Sequence, residues 1–277
     1  MVERCAGERR PLRIILPELG GVRCGPEVPL SKEERAHVRS RRLRDGDELV
    51  LLDGKGGRGL GRLTSKGTAV AVLSFEKNSG GALPGEPQLK MTVLLAAAEP
   101  ARVEWAIEKG TECGAAAFVL LACERSQGAH VAAVKARLPR LRRIAQEATK
   151  QCGRTVVPTI SGPKSTRDFL RGVEKGRRST LLVADPAGRP LEYARWSRSP
   201  RRTSALSERS EFALEGEEAS AAERTPVFLA IGPEGGFSPA ELALFAEKGG
   251  QMVSLGPRIL RLETAVVVAL SLLVDPG

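Results

Sequence analysis

Two turns near the C-terminal end of the chain have residue types suited to holding a small ligand: Gly232-Pro233-Glu234-Gly235-Gly236 and Gly256-Pro257. Each separates a short apolar run from a helical pattern. The runs at 227–231 and 252–255 read as buried strands. The glycines of the first turn admit backbone angles that other residues avoid, and Pro233 has no N–H to donate. In open α/β sheets ligands sit where strands end and helices begin, so two such turns, both lacking bulky side chains, make a candidate small-molecule site. The alternative is a pair of ordinary turns in a parallel sheet. The first turn is neither a G-x-G-x-x-G fingerprint nor a P-loop, which removes the common dinucleotide and nucleotide readings.

The flanking residues explain how these turns would be held. Ser238 reads as a helix N-cap, Pro239 as the first helical residue and Glu241 as the third member of a capping box, with Phe237 and Leu242 spaced as a hydrophobic staple. This helix runs to about Lys248 and stops at Gly249-Gly250. A second helix over 261–274 is apolar nearly all round from Ala265 onward, a pattern expected of a helix buried on all sides. It is too short, and too interrupted by Arg261 and Glu263, to span a bilayer.

A third candidate is the helix ending at Gly153. Leu138, Leu141, Ala145, Ala148 and Cys152 share one face, while Arg140, Arg143, Glu147, Gln151 and, just past the end, Arg154 share another. This row is either a solvated face with an i, i+4 charge pair or a polar lining over nucleic acid. Periodicity does not choose. Pro139 starts or kinks the helix. Arg35, Arg39, Arg41, Arg42 and Arg44 crowd near His37, either as a phosphate-binding cluster or as an exposed helix and turn.

These elements imply two architectures in series. Residues 11–75 look all-β, with strands at 12–16, 48–53, 59–63 and 68–74, turns at Asp45-Gly46 and Asp53-Gly54, and a short helix at 31–38 opened by a Ser31–Glu34 capping box. A compact barrel is the natural form. Residues 1–10 read as a loose tail and 76–87 as a linker. From 88 to 277 the pattern alternates: strands at 89–97, 116–121, 155–157 and 180–184, with helices from Pro100 to near Cys113-Gly114, up to Gly153, and at 166–174. That predicts a parallel sheet covered on both faces. Residues 186–225, rich in Arg, Ser and Glu, read as a disordered insertion.

The chain has 277 residues, a net charge of +10 and only 4% aromatic residues, so its core must rest on Leu, Val, Ile and Ala. The charge suits a polyanionic partner such as nucleic acid, or equally a solvated basic surface. Five cysteines at wide spacing without C-x-x-C, and two histidines, His37 and His130, argue against a disulfide framework and against a metal centre. The expected compartment is reducing, the cytoplasm or an organelle, and no membrane span is expected.

Five ordered segments together carry a family resemblance: HVRSRRLRDGDELVLLDGKG at 37–56, EKGTECG at 108–114, EATKQCGRTVVP at 147–158, IGPEGGFSPAE at 231–241 and VSLGPRILRLETA at 253–265. With these, the chain resembles the RsmE family of ribosomal RNA methyltransferases, members of the SPOUT superfamily. It departs from the family pattern at Leu262, where a Thr is usual, and at Ala98-Glu99-Pro100, where a lysine-bearing turn is usual. It departs again at Arg39–Arg44, which replaces part of a VLR motif, and in the length of the insertion.

The resemblance implies a small PUA-like β-barrel followed by a SPOUT α/β domain with a C-terminal trefoil knot. It implies S-adenosylmethionine as cofactor and a homodimer. It also implies methylation of the N3 of one uridine in small-subunit (16S) ribosomal RNA, free or in the assembled subunit. Carried over by motif, the cofactor-binding residues would be Ala184, Asp185, Ile231, Gly232, Pro233, Glu234, Gly235, Gly236, Leu255, Gly256, Ile259, Leu260 and Arg261. The catalytic candidates are Arg154 and Arg261 as anion stabilisers, with Glu147 or Glu263 orienting them or taking the N3 proton. RNA phosphates would be met by Arg39, Arg41, Arg42, Arg44, Arg140 and Arg143. The rival expectation is a non-catalytic RNA-binding or ribosome-assembly protein that retains the knot.

Overall fold

Alternation in the sequence becomes alternation in burial. The structure, a computed structural model, describes residues 11–21, 25, 27–77, 85–173, 179–191 and 226–274. The chain divides into two compact units, residues 1–86 with 149–157, and residues 87–148 with 158–277.

The first unit holds β1 (Arg13–Ile15), β2 (Glu27–Pro29), α1 (Lys32–Ser40), β3 (Glu48–Leu52), β4 (Arg58–Thr64) and β5 (Ala69–Glu76). They form one sheet in the order β1-β3-β4-β5-β2, antiparallel except that β1 runs parallel to β3. In β4 every second residue is exposed, as expected of a strand with one wet face. β3 is buried on both faces. Leu49 and Leu51 join a core with Ile14, Leu19, Val38, Leu63 and Val70, while Val50 and Leu52 pack with Ile15 and Val157 on the other side.

Segment 149–157, assigned by sequence to the α/β domain, packs in this unit. Gly56 N–H donates to the Thr155 carbonyl at 3.2 Å and Val157 N–H to the Gly54 carbonyl at 2.9 Å. The 155–157 strand expectation is not met: apart from a single bridge between Lys55 and Val156 it pairs with no strand among the described residues. The Ser31 cap is present, with its Oγ accepting from Glu34 N–H at 3.1 Å. The Glu34 carboxylate, however, accepts from Lys150 Nζ at 3.1 Å, so its role is an ion pair rather than the return half of a capping box.

The second unit contains six parallel strands: β6 (Met91–Ala96), β7 (Ala117–Ala122), β8 (Thr159–Ser165), β9 (Thr180–Pro190), β10 (Val227–Ile231) and β11 (Gln251–Ser254). Their order is β11-β9-β10-β6-β7-β8. Around them lie α2 (Pro100–Glu112), α3 (Gly128–Ala136), α4 (Leu138–Cys152), α5 (Thr166–Arg171), α6 (Pro239–Glu247) and α7 (Leu262–Leu273). The expected long helix is therefore two. Arg137 interrupts it, and Pro139, lacking a donor, is tolerated only in the first turn of the second piece.

β9 is longer than expected. Its register with β11 jumps from Val183–Met252 to Arg189–Val253, so residues 184–188 bulge out and 189–190 resume pairing. The start of the proposed insertion is thus ordered strand, and residues 192–225, like the 1–10 tail, lie outside the described residues. α7 buries Leu262, Ala265, Val266, Ala269, Leu270 and Leu273, but Val267, Val268 and Leu272 are only half-buried within the single chain. Among the described residues no helix is long and apolar enough to cross a membrane, and no cluster of ligating side chains could hold a metal.

Candidate cofactor and active-site loops

The strand order reverses between β6 and β10. β6 is followed by β7 on one side, whereas β10 is followed by β11 on the other. At such a switch point the loops leaving neighbouring strands diverge and open a crevice at the carboxyl ends. The residues 232–238 lead out of β10 into α6, and α2 starts four residues beyond β6. Ala184 and Asp185 lie where β9 stops pairing with β10, since the last matched pair is Val183–Ala230. Asp185 Oδ1 accepts from Ala187 N–H at 2.8 Å, which folds the bulge back on itself. The loop 255–261 links β11 to α7.

The first loop is braced at several points. Gly236 N–H closes a turn onto the Pro233 carbonyl at 2.8 Å, and Gly236 has φ +69°, a region glycine enters without strain. Arg125, from the loop after β7, donates to the Gly235 carbonyl at 2.6 Å. Arg102 of α2 pairs with Glu234 and with Glu99. Phe237 stacks edge-on against Phe245, with ring centroids 5.0 Å apart. The α6 capping box is complete: Ser238 Oγ accepts from Glu241 N–H at 3.1 Å and Glu241 Oε2 accepts from Ser238 N–H at 3.0 Å. Glu241 Oε1 also accepts from the Thr166 hydroxyl at 2.6 Å and from Glu124 N–H at 3.2 Å. Beside it, burial and the Glu241 charge push the Cys123 thiol up to about 12.

The second loop is open. Gly256 has φ +122° with nothing within 4 Å of the place a Cβ would occupy. Ile259 is 90% exposed, and Arg261, the N-cap of α7, is exposed too. In the first turn of α7, Oε2 of Glu263 is buried and has no hydrogen-bond partner among the described residues. Burying a carboxylate oxygen unpaired costs about 1–3 kcal/mol or more, a cost that any donor reaching it would relieve. Glycines that leave space beside exposed Leu/Ile-bearing backbone and an orphaned acceptor fit a nucleoside-bearing cofactor: apolar walls for a ring, and backbone groups for its polar edge.

The other expected site residues fall into distinct settings. Arg154 is buried in the first unit, its Nε and an Nη both donating to Glu86 Oε2 at 3.0 and 2.8 Å. Glu86 Oε1 accepts from Thr155 and Val156 N–H groups at 2.8 and 2.9 Å. Glu147 is exposed in the second unit. Arg140 is held bidentate by Glu104 at 2.7 and 2.8 Å, with Arg137 on the same carboxylate at 3.3 Å, while Arg143 is exposed. The Arg140 hydrogen bond, followed by the nearby guanidinium charges, holds the Glu104 carboxyl below its ordinary range despite desolvation. Arg39, Arg41, Arg42 and Arg44 are exposed, on and just after α1.

Sequence reading missed Glu86, Glu104, Arg102, Arg125 and Thr166. Each acts on a residue far away in the chain, so no local spacing marks it. Glu86 sits in the stretch read as linker.

The RNA methyltransferase domain family matches residues 85–274, and the RNA methyltransferase PUA domain family matches residues 30–74. These define the class, an α/β RNA methyltransferase with a PUA-like domain ahead of it. Ribosomal RNA small subunit methyltransferase E of Synechocystis is 31% identical over 232 residues, covering 83% of this chain and 66% of that protein. The Mycobacterium tuberculosis protein of the same name is 30% identical over 273 residues, 92% of this chain and 87% of that one. Two solved structures match over nearly full length. One is a ribosomal RNA small subunit methyltransferase E from Neisseria gonorrhoeae bound to S-adenosylmethionine, with TM-score 0.72, 25% identity, and 95% and 96% of the two chains covered. The other is a Legionella pneumophila methyltransferase with the same bound cofactor, with TM-score 0.72, 27% identity, and 96% and 97% covered. The chain belongs to the ribosomal RNA small subunit methyltransferase E (RsmE) family.

Proposed function

We propose that this chain is an S-adenosylmethionine-dependent methyltransferase that modifies the N3 of a uridine in small-subunit (16S) ribosomal RNA, working as a homodimer in the cytoplasm. The observation that carries the reading is the glycine-bearing loop that leaves β10 at the sheet's switch point, together with a second such loop after β11 that leads to the orphaned Oε2 of Glu263. Family membership and the cofactor in the two solved relatives support it. The bulge at 184–188 and the loops 232–238 and 255–261 are the proposed walls of the cofactor pocket and the crossings of a trefoil knot. The half-buried Val267, Val268 and Leu272 supply apolar surface for the second subunit.

Bound there, S-adenosylmethionine supplies an electrophilic methyl on a positively charged sulfur. The chain's own residues would do the rest. Uracil N3–H is a weakly acidic imide, so transfer requires its proton to leave and the resulting charge on N3, O2 and O4 to be met. Glu263, whose Oε2 has no partner among the described residues, takes that proton. Arg261, exposed two residues earlier, faces the charge on a carbonyl oxygen. The other candidates are Glu147, as orienting group or base, and Arg154, which would require release from Glu86 to reach substrate. Phosphates of the RNA would lie on Arg39, Arg41, Arg42 and Arg44, extended by Arg140 and Arg143.

Mass mapping of modified uridines in small-subunit RNA, with and without the protein, tests the activity. Glu263→Gln is expected to slow transfer by roughly 10²- to 10⁴-fold, the range of a lost general base. Wild-type turnover in that variant, with loss in Glu147→Gln, would move the base to the α4 row.

A further inference from the structure

Glu241 does more than cap a helix. A capping box needs only its bond to Ser238 N–H, yet the same carboxylate, 2% exposed, takes two further donors from 75 and 117 residues away. Its donors come from the turns that follow three different strands: Ser238 after β10, Thr166 after β8 and Glu124 after β7. The Glu124 turn also supplies Arg125, which grips the Gly235 carbonyl. The cap residue that ends loop 232–238 is therefore welded to the two neighbouring turns through one buried carboxylate, and the middle of the loop is pinned to the nearer of them.

We propose that Glu241 is a positioning residue that fixes the conformation of loop 232–238 through Thr166 and Glu124, and that this fixing sets the affinity of the site for S-adenosylmethionine. The inference rests on the cofactor reading of that loop given above. Pre-organised loops bind more tightly because ordering is not left to the binding event. A glutamine at 241 cannot replace the carboxylate. It presents one oxygen and one NH2 group, so either Ser238 N–H or Glu124 N–H would face a donor. Thr166→Val removes one tie while leaving the Ser238 cap intact.

The test uses the full chain as wild type, Glu241→Gln and Thr166→Val. Amide hydrogen exchange of 232–238 is measured without cofactor, and S-adenosylmethionine affinity by calorimetry. Losing a hydrogen bond to a charged group corresponds to about a tenfold or greater change. Faster exchange in the loop and a cofactor Kd raised roughly tenfold in both variants, with kcat at saturating cofactor little changed, is the expected result. A lower Tm with unchanged loop exchange and unchanged Kd means Glu241 is structural only, and overturns the proposal. Wild type that binds no cofactor overturns the cofactor reading instead. In that case loop exchange alone still decides whether Glu241 positions the loop.

Discussion

Arg154 and Glu86 form a buried ion pair in which Nε and an Nη of the guanidinium donate to one carboxylate oxygen, with side chains only 5% and 10% exposed. The other oxygen of Glu86 caps two backbone N–H groups of the segment after α4. Removing one partner of such a pair leaves an uncompensated charge, at a cost of about 3–5 kcal/mol. Glu86→Ala is therefore expected to be destabilised by about that amount in urea unfolding, and the Glu86→Ala/Arg154→Ala cycle to be strongly non-additive. Additive losses would show that the pair is not coupled.

Glu104 ties α2 to Arg137 and Arg140. Its folded carboxyl titrates below the ordinary value of 4.5, so its stabilising contribution is complete above that pH and is lost as pH falls through the lower folded value. Glu104→Gln is expected to lower Tm at pH 7 and to approach wild type as the pH falls through the lowered folded value. A gap that does not narrow at all as the pH is lowered over the range in which the fold persists would contradict the assignment.

Cys123 behaves oppositely. Burial first, then the charge of Glu241, raises its thiol from 9.0 to about 12. At pH 8 the folded protein should leave Cys123 unalkylated by iodoacetamide while exposed Cys152 reacts, as read by peptide mass. Above pH 9 the unfolded chain releases a proton that the folded chain keeps, so this group makes stability fall with rising pH. Cys123→Ser should flatten that limb.

Gly256, at φ +122° with open space around it, tolerates a larger side chain sterically but not conformationally. Gly256→Ala is expected to cost about 1 kcal/mol or more of stability and to weaken cofactor binding in calorimetry. Unchanged binding would place the cofactor away from this loop.

The exposed arginines after α1 give a salt signature. If Arg39, Arg41, Arg42 and Arg44 each meet a phosphate, each Arg→Ala change should reduce the slope of log K against log salt by about 1 or less. A variant that weakens RNA binding with no change in slope contacts something other than phosphate.

What the sequence determined by itself is local. The Ser238–Glu241 box, the strand at 227–231, the start of α2 at Pro100 and the glycine-bearing turns depend on neighbours within a few residues, where steric and hydrogen-bond rules act directly. The five motifs, being short and ordered, carried the family. Only the tertiary structure decided the long-range partners. Segment 155–157 has strand composition, yet Glu86 and Gly54 engage its backbone and leave it outside the sheet. Glu34 has capping-box spacing, yet Lys150, far along the chain, takes its carboxylate. β10 and β11, the strands that lead into the two glycine-bearing loops, lie on either side of β9 and pair with it in parallel, a register that hydrogen bonds between distant segments impose. Glu241 spans both cases: spacing shows its cap, and only folding brings Thr166 and Glu124 to its second oxygen, because a buried carboxylate must be satisfied by whatever donors the packed chain delivers.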